Sequence, residues 1–362
     1  MKDDEKSVRE KQASVFHETL KRRTGEKEMN VFKRIFATFL AFASLFISSV
    51  TKPNEKDGKF RVTSYVVADS IQSVERIYGE DFDIITDVIL FGGASFNAKG
   101  EIEKRKTVLE TALSNLRTVI GERNVKIFVN LLGPGALESH DDYVSEMNDQ
   151  AKQHTLAFKS GVLEDNIVAL LDEYDFDGVF FDYEYPLNTV NWGPFNRFLV
   201  RLDKKLGKKI LGLAVVDWDI KLSLGSFMAV DRFEAMLYDN FDEEGRHATP
   251  ETVRQLLKKM KIYSIPKEKL DVGLAFYARP TDRSAYWYDY ASYCDRLDEN
   301  GFYYDASVDK TFWFNRPSNI AETAAYALDE GYGGVMIWHY TCDFPSSDPR
   351  SLLNAVGNTV KK

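Results

Sequence analysis

The stretch DGVFFDYEYP, from Asp177 to Pro186, contains three acidic residues among apolar and aromatic ones. Valine, phenylalanine and tyrosine are typical of a β-strand, in which side chains two positions apart share a face. Phe180, Asp182 and Glu184 therefore lie on one face of the predicted strand. A buried carboxylate costs several kcal/mol unless it is paired or protonated, so we expect the two acids on this face to do chemistry.

Asp182 and Glu184 have the residue types of a general acid beside a carboxylate. Two neighbouring carboxyl groups at a water-poor strand end do not both ionise readily, so one keeps its proton to higher pH. Glu184 lies nearer the end of the strand and has the longer side chain, so we predict that it is the acid. The structural alternative is an exposed strand end with two solvated acids.

Seven further apolar runs accompany this one, and most are continuous, as expected of strands covered on both faces. The eight predicted strands are Phe60–Val67, Asp87–Phe96, Val125–Gly133, Gly178–Tyr185, Lys209–Val216, Phe233–Asp239, Leu270–Ala278 and Gly333–Tyr340. Segments with helical spacing of apolar residues lie between them. This alternation predicts an α/β fold, either a (β/α)8 TIM barrel or an open doubly wound sheet. Because no G-x-G-x-x-G follows the first strand, we favour the barrel.

A barrel of this kind places its active site at the carboxyl ends of its strands. Polar and aromatic residues at those ends are Asp69, Asn130, Asp182 with Glu184, Asp217 with Trp218, Tyr238 with Asp239, Tyr277 and Trp338. Several have a structural alternative, which is core packing for Trp338, Trp218 and Tyr277 and a supporting position for Asn130. For Asp177 the alternative to catalysis is turn formation before Gly178.

The segment 279–311 is rich in tyrosine and tryptophan. We predict a short elaborated loop over the barrel mouth after the seventh strand, with a helix through Ala291–Asn300. The alternative is an aromatic patch packed on the side of the barrel.

The composition of the 362-residue chain excludes some classes of function. Its formal net charge of −9 argues against nucleic acid as a partner, because phosphate binding needs a basic face. The five histidines lack metal-ligand spacing, so we expect neither a catalytic metal nor another cofactor. Cys294 and Cys342 form either one disulfide or two free thiols, since pairing cannot be deduced from sequence.

The amino-terminal region differs from the rest of the chain. Residues 1–28 are highly charged, and we expect them to be disordered or not translated, with Met29 as an alternative start. Within residues 29–59, Lys33 and Arg34 precede an apolar run over residues 35–50, the arrangement of a signal peptide or short membrane anchor followed by a linker. A buried core helix is the alternative. We therefore expect an exported monomer (secreted, periplasmic or surface-anchored) with one catalytic domain over residues 60–362.

The predicted fourth strand resembles that of family-18 glycoside hydrolases, the chitinase family, whose motif is D-G-x-D-x-D-x-E. Asp177, Gly178, Asp182 and Glu184 match it, whereas Phe180 stands in place of the middle Asp. In the family that Asp offers its neighbour an alternative partner. Its loss implies that Asp182 is biased toward Glu184 and the substrate.

The resemblance continues in order over about residues 60 to 345. Met236, Tyr238 and Asp239 match the M-x-Y-D of the sixth strand, VGLAFYARP is similar to the seventh, and GYGGVMIWHYTCD is similar to the eighth, which ends at Trp338.

The resemblance implies a substrate-assisted, retaining hydrolysis of β-1,4-linked N-acetylglucosamine polymers such as chitin or chitooligosaccharides. Glu184 would be the general acid and base, Asp182 would orient the acetamido N–H, Tyr238 with Asp239 beside it would hold the carbonyl, and Trp338 would stack on the sugar. The remaining members of the implied site are Tyr277, Trp218, Tyr185 and Met236, which line it, and Asp177 and Phe180, which support it.

Two other functions remain open. An endo-β-N-acetylglucosaminidase acting on N-glycans or peptidoglycan would share the acetamido chemistry and differ in its loops. A non-catalytic chitinase-like lectin would use the same barrel, although such relatives usually lack the acid and Glu184 is present. The loop after the seventh strand is shorter than in processive members of the family, which favours endo action.

Overall fold

The apolar runs form the strands of a closed barrel in the computed structural model, which describes residues 59–182 and 189–361. The described strands are β1 (Arg61–Val67), β2 (Asp87–Phe96), β3 (Ile102–Lys104), β4 (Lys126–Leu132), β5 (Gly178–Asp182), β6 (Ile210–Val215), β7 (Arg232–Ala235), β8 (Leu270–Ala275), β9 (Tyr277–Pro280), β10 (Tyr288–Asp289), β11 (Phe302–Asp305), β12 (Lys310–Trp313) and β13 (Gly334–Trp338).

Eight of these strands are parallel and close on themselves. Their order is β1-β13-β8-β7-β6-β5-β4-β2, and β1 pairs with β2 to complete the ring. The short β3 extends the sheet as an antiparallel neighbour of β2. The predicted (β/α)8 barrel is therefore confirmed, and the open doubly wound sheet is excluded by the pairing of β1 with β2.

Helices fill the connections between the barrel strands. They are α1 (Lys106–Ile120), α2 (Tyr143–Lys159), α3 (Leu163–Glu173), α4 (Thr189–Leu206), α5 (Leu224–Ala229), α6 (Pro250–Met260), α7 (Tyr290–Tyr293), α8 (Pro317–Asp329) and α9 (Leu352–Val360). In α6 the Thr249 side chain accepts a hydrogen bond from the Thr252 backbone and Pro250 occupies the first turn, as expected of a helix start.

The barrel has two apolar layers. The larger one lies between the strands and the surrounding helices. The smaller one fills the barrel itself with Tyr65, Ile89, Phe128, Phe180 and Met336, all of them buried. Because the strands are covered on both faces, most of their residues are apolar, and burial of each large apolar side chain stabilises the fold by about 1.5–3 kcal/mol.

Two predicted strands end earlier than expected. β7 stops at Ala235 instead of Asp239, because the Leu237 N–H donates to the Ala235 carbonyl at 2.9 Å and bends the backbone out of the sheet. The seventh barrel strand stops at Ala275, and from Tyr277 the chain pairs in a second sheet. The predicted end of β5 at Tyr185 lies outside the described residues.

The aromatic segment after β8 forms a small antiparallel sheet in the order β10-β9-β12-β11. The helix predicted through Ala291–Asn300 is wrong, since α7 covers only Tyr290–Tyr293 and a single 3-10 turn follows. Asp298 accepts hydrogen bonds from the backbones of Asn300 and Phe302, and this local turn replaces helical hydrogen bonds.

The aromatic rings of this segment pack on one another. The Tyr288 ring stacks on Phe312 at 4.1 Å and on Tyr293 at 4.3 Å between centroids. The tyrosines thus stabilise the second sheet, while Tyr286 and Trp287 beside it remain exposed.

Both cysteines are free thiols, with Cys342 buried and Cys294 half-buried, so the second of the two alternatives holds. The described residues belong to one unit, Asp57–Lys362. The predicted segments 1–28 and 29–59 lie outside the described residues except for Lys59. No helix in the described part of the chain is long and apolar enough to cross a membrane.

Candidate active site

Asp182 is the last residue of β5 and is half-buried, with its Oδ1 atom enclosed. It shares a strand face with Phe180, whose side chain is fully buried inside the barrel. The strand therefore directs Asp182 toward the barrel axis at the carboxyl end, as predicted from the spacing. Glu184 and Tyr185, which the sequence places next to it, lie outside the described residues.

An aromatic cluster lies beside Asp182 at the mouth of the barrel. The ring of Tyr65 is 5.3 Å from that of Trp338 and 6.2 Å from that of Phe91, and Phe91 meets Trp338 edge-on at 5.0 Å. Burial raises the pKa of Tyr65 well above its usual value, and the negative charges of Glu234 and Asp182 add to the effect. Asp182 and the Tyr65 hydroxyl therefore share one poorly solvated space.

Trp338 ends β13 with its side chain half-buried, and the peptide bond to His339 is cis. Its inner edge packs against the barrel core, so core packing and ligand contact are both open to this residue. The half-buried position at the carboxyl end of a strand is the one expected for a side chain that lines a barrel pocket.

Tyr238 and Met236 follow the end of β7 and pack on the interior cluster. The Tyr238 ring contacts the Tyr277 ring at 5.9 Å in an edge-on arrangement. Tyr277 itself is buried on β9, so the structure brings Tyr238, predicted to hold the carbonyl, together with Tyr277, predicted to line the site.

Asp239 is anchored by two side chains at the rim. The Tyr277 hydroxyl donates to Asp239 Oδ1 at 2.9 Å, and Arg279 Nη1 lies 2.7 Å from Oδ2. Burial, reinforced by the charge of Asp239, raises the pKa of Tyr277 well above its usual range. His247 lies 3.6 Å from Asp239, but burial lowers the pKa of this imidazole to about 3, so it is neutral.

Arg279 was missed by sequence analysis. It lies two residues after Tyr277 on β9, so both side chains share a face of the strand and reach the same carboxylate. That spacing, together with an acid already suspected at Asp239, is the signal that could have identified it.

Two other acids predicted at the strand ends form ion pairs with basic side chains. Asp217 is buried and pairs with Lys259 of α6 at 2.6 Å, while Asp69 pairs with Arg105 at the surface. Trp218 is 48% exposed and lies next to Asp217 in the chain, after the end of β6. It is therefore accessible to a ligand, and the core-packing alternative does not apply to it.

Asp177 lies at the amino end of β5, opposite the mouth. Its Oδ2 accepts a hydrogen bond from the Ile127 backbone at 2.8 Å, and its carbonyl accepts one from Ile210 at 2.9 Å. These contacts join β5 to both neighbouring strands. The structure thus favours the structural alternative for this residue.

Asn130 is fully buried on β4, on the same face as Phe128 of the interior cluster. Neither atom of its carboxamide forms a hydrogen bond with another described residue. Its polar group therefore adds to the polarity of the barrel interior, and the supporting contact expected of it is not seen.

The sequence model of glycosyl hydrolases family 18 matches residues 84–343, which is most of the chain. This chain belongs to glycosyl hydrolase family 18. No curated protein sequence matches it.

Solved structures, chitinases among them, share the fold of this family-18 chain. Chitinase ChiB from the chitin utilization locus of Flavobacterium johnsoniae is 21% identical with a TM-score of 0.64, over 83% of this chain and 94% of that one. The class V chitinase of Nicotiana tobaccum, solved as a mutant with NAG4, is 16% identical with a TM-score of 0.65, over 84% and 99%. YKL-39, solved with chitooligosaccharides, is 13% identical with a TM-score of 0.64, over 84% and 100%. At these identities the likeness establishes the fold.

Phe180 is the main departure of this family-18 chain from the motif of the fourth strand. Its ring packs edge-on against Phe128 at 5.2 Å between centroids and lies against Gly212, where an added Cβ would come within 2.1 Å of the ring. The glycine is thus required by the close approach of the ring. Below Asp182, β5 contributes an apolar side chain to the barrel.

A group of charged residues inside the barrel was also missed. Arg61, Asp87, Arg232, Glu234 and Asp271 lie on the inner strands, and all but Arg61 are buried. In β7 the charged residues alternate with Phe233 and Ala235, and this alternation was the available signal. In the part of the chain that the structure describes, no group of three or more His, Cys, Asp or Glu side chains could hold a metal ion.

Proposed function

We propose that this family-18 protein hydrolyses β-1,4-linked N-acetylglucosamine polymers, chitin or chitooligosaccharides, with retention at the anomeric carbon. The observation that carries the proposal is the position of Asp182, half-buried at the carboxyl end of β5 beside Tyr65, whose ring lies 5.3 Å from that of Trp338. A carboxylate among aromatic rings at a barrel mouth suits a sugar that carries an acetamido group.

Glu184, two residues after Asp182 in sequence, is the proposed general acid. It would protonate the glycosidic oxygen as the bond to the anomeric carbon breaks, and then accept a proton from the incoming water. Retaining glycosidases usually hold two carboxyl groups about 5 Å apart with one as nucleophile, but family 18 is a substrate-assisted exception. Here the acetamido oxygen of the sugar would attack the anomeric carbon.

Asp182 would accept a hydrogen bond from the acetamido N–H. This contact orients the amide for attack and offsets the positive charge of the oxazolinium intermediate. The low exposure of the Asp182 Oδ1 atom supports this assignment, since charge interactions are stronger where water is excluded.

The Tyr238 hydroxyl would donate a hydrogen bond to the acetamido oxygen. Asp239 stands next to it, and its two bonds to Tyr277 and Arg279 hold the local backbone in place. Because Arg279 neutralises Asp239, this acid serves as an anchor and leaves the proton transfer to Glu184.

Trp338 would stack on the apolar face of the sugar in the cleaved subsite. Tyr277, Met236, Tyr185 and Trp218 would line the rest of the cleft. Of these, Trp218 has the most exposed side chain in the described part of the site.

We further propose that the protein is an exported monomer, since the apolar run over residues 35–50 after Lys33 and Arg34 has the pattern of an export signal. Its partner would be a glycan that contains N-acetylglucosamine. Cell fractionation with antibody detection tests the location.

The function is tested with chitooligosaccharides and purified protein. We expect release of reducing ends by the unmutated chain, and a loss of turnover by several orders of magnitude in Glu184→Gln with oligosaccharide binding retained. The matched control is Glu243→Gln, an acid in the segment after Asp239. Activity of Glu184→Gln equal to that of the unmutated chain would contradict the assignment.

Parallel assays on high-mannose glycans and peptidoglycan distinguish an endo-β-N-acetylglucosaminidase from a chitinase. Binding of oligosaccharides without cleavage of any of them by the unmutated chain would indicate a lectin. Equal cleavage of glucans that lack N-acetyl groups would exclude substrate assistance.

A further inference from the structure

Glu234 is a buried acid that the proposed reaction does not use. It is the third residue of β7, its side chain has no exposure to solvent, and neither carboxyl oxygen forms a hydrogen bond with another described residue. Burial of a carboxyl group without such partners costs free energy. The neighbouring charges of the barrel interior are already paired with one another, so a functional reason is expected for this additional acid.

A row of paired residues connects Glu234 to the active-site mouth. Asp182 of β5 pairs with Ala214 of β6, Ala214 pairs with Glu234, and Glu234 pairs with Asp271 of β8. Side chains paired in this way share the interior face, and only the small Ala214 separates the two acids. The row begins at the last residue of β5 and reaches the second residue of β8, so it descends from mouth to base, as expected of tilted barrel strands.

The charges at the base of the barrel are already paired without Glu234. Arg61 lies 2.5 Å from Asp271, and Arg232 lies 2.8 Å from Asp87. Glu234 is thus a third acid beside two arginines that each hold another carboxylate. Burial, with the charge of Asp271 added, raises the pKa of Glu234 well above its usual value, although both arginines oppose this.

Tyr65 interacts electrostatically with both Glu234 and Asp182. Its hydroxyl is buried and forms no hydrogen bond with another described residue, and both acids raise its pKa. Phe180 excludes any acid of β5 from the space below Asp182, because its ring occupies the interior against Gly212. Below Asp182, the next acid in the row of paired residues is therefore Glu234 of β7.

We propose that Glu234 is a positioning residue that controls, through Tyr65, the charge and orientation of Asp182. As a neutral carboxylic acid it places no second negative charge below Asp182, so Asp182 is free to ionise and to accept the bond from the substrate. Glu234 thus provides an interior acid on β7, whereas the family motif has one on β5 at the position of Phe180. The effect on Asp182 rests on the proposed function. The protonation of Glu234 and its electrostatic connection to Asp182 do not depend on that function.

Charged groups from several strands act on the Glu234 carboxyl group. Asp271 on β8 and Asp87 on β2 raise its pKa, whereas Arg61 on β1 and Arg232 on β7 itself lower it. Lys126 on β4 interacts in turn with Arg232, and Tyr65 on β1 interacts with Glu234, Asp182 and Tyr238. Asp271 is held by Arg61 through two hydrogen bonds. Burial also raises the pKa of Asp271, but Glu234 has no hydrogen-bond partner among the described residues, so the proposal assigns the retained proton to Glu234.

Infrared spectroscopy of the full chain in D2O tests the inference without any assay of activity. At neutral pH we expect a C=O band from a protonated carboxyl group, which shifts when the unmutated chain is labelled with 13C-glutamate and disappears in Glu234→Gln. The isotope shift identifies the band even where the glutamine variant does not fold. Absence of a protonated glutamate band at neutral pH would overturn the inference.

The connection to Asp182 is tested in the same spectra. Asp182→Asn should move the Glu234 band, and Tyr65→Phe should abolish this response. A band that keeps its position in Asp182→Asn contradicts the inference and indicates that Glu234 is isolated in the core.

A kinetic comparison gives the second measurement. Glu234→Gln should preserve turnover of chitooligosaccharides at neutral pH and displace the alkaline limb of the pH–rate profile to higher pH, because the glutamine never ionises. The control is Glu164→Gln, a buried glutamate of α3 paired with Arg201, which should leave the profile in place. An unmoved profile in Glu234→Gln argues for a merely structural role. If the unmutated chain cleaves no substrate, the proposed function fails while the spectra still decide on Glu234.

Discussion

At the scale of single residues, Asp239 shows how the rim of the barrel is held in place. Its backbone is left-handed, with φ of 58°, a conformation that aspartate tolerates better than most residues. The bonds from Tyr277 and Arg279 hold its carboxylate, so the acid is used for structure at the rim. The carboxylate of Asp239 is thus occupied by these bonds, and the role of proton donor is proposed for Glu184 instead.

Phe180 permits a direct test of the charge below Asp182. Phe180→Asp and Phe180→Leu both remove the ring that lies against Gly212, so each should lose at least about 1 kcal/mol of stability in urea unfolding. Only the aspartate variant places a new carboxyl group below Asp182. Since two close acids do not ionise together readily, the acidic limb of its pH–rate profile should move to higher pH.

Phe180→Leu is the control in this comparison, because it removes the aromatic ring without adding a charge. The kinetics are measured on chitooligosaccharides at temperatures where both variants are folded. A profile in Phe180→Asp that coincides with that of Phe180→Leu would show that Asp182 is insensitive to an acid on its own strand.

At the scale of elements, strands covered on both faces were predictable. The predicted bounds of β1, β2, β4, β6 and β13 agree with the structure to within two residues, because a continuous apolar run has no other place to be buried. The predictions failed where local hydrogen bonds compete with the regular element. At Leu237 and Asp298, a hydrogen bond between groups two to four residues apart ends the regular element. The amino-acid composition of the segment does not reveal such a bond.

The position of Asp182 on the inner face of β5 was predictable from a two-residue period, whereas that of Glu234 was not. Its alternation with Phe233 is visible in the sequence, but its relation to Asp182 depends on the register of β5, β6 and β7. Register between distant strands is a property of the closed barrel. Arg279 follows the same two-residue period as Tyr277, but its ion pair with Asp239 also depends on where β9 leaves the barrel.

The start of α9 contains an acid with an unusual pKa. Asp343 accepts hydrogen bonds from the backbones of Leu352 and Leu353 and from the Ser351 hydroxyl. Burial outweighs these bonds and raises the pKa of Asp343 to about 6, from 3.8. Between about pH 4 and 6 the folded state therefore holds a proton that the unfolded chain has lost, and this group makes stability fall as pH rises.

Asp343→Asn removes that dependence, because asparagine does not titrate. We expect the stability of this variant relative to the unmutated chain to increase as the pH is raised from about 4 to about 6, as measured by urea unfolding at several pH values. Asp348→Asn is the control, since hydrogen bonds from Arg350 lower the pKa of half-buried Asp348 to about 2 and its contribution changes only below about pH 4. A constant difference between Asp343→Asn and the unmutated chain across the window would show that burial does not govern this carboxyl group.

At the scale of the whole molecule, the barrel closes where the first strand meets the last. β1 pairs with both β13 and β2, so the ring joins residues more than 250 positions apart. Arg61 at the start of β1 adds side-chain bonds across this closure. Its Nε and Nη2 donate to Asp271 at 3.1 and 2.5 Å, and Nη2 also donates to the Glu268 carbonyl at 3.1 Å.

Removal of Arg61 should therefore weaken the entire fold. Asp271 has no exposure, and a buried carboxylate that loses its cation typically costs about 3–5 kcal/mol. We expect Arg61→Met to lose stability of this order in urea unfolding, and Arg61→Met with Asp271→Leu to recover part of it because no charge then remains unpaired. Arg105→Met, which breaks the exposed pair with Asp69, should cost no more than about 1 kcal/mol. Equal losses in the Arg61 and Arg105 variants would mean that the closure of the barrel depends on its backbone pairing alone.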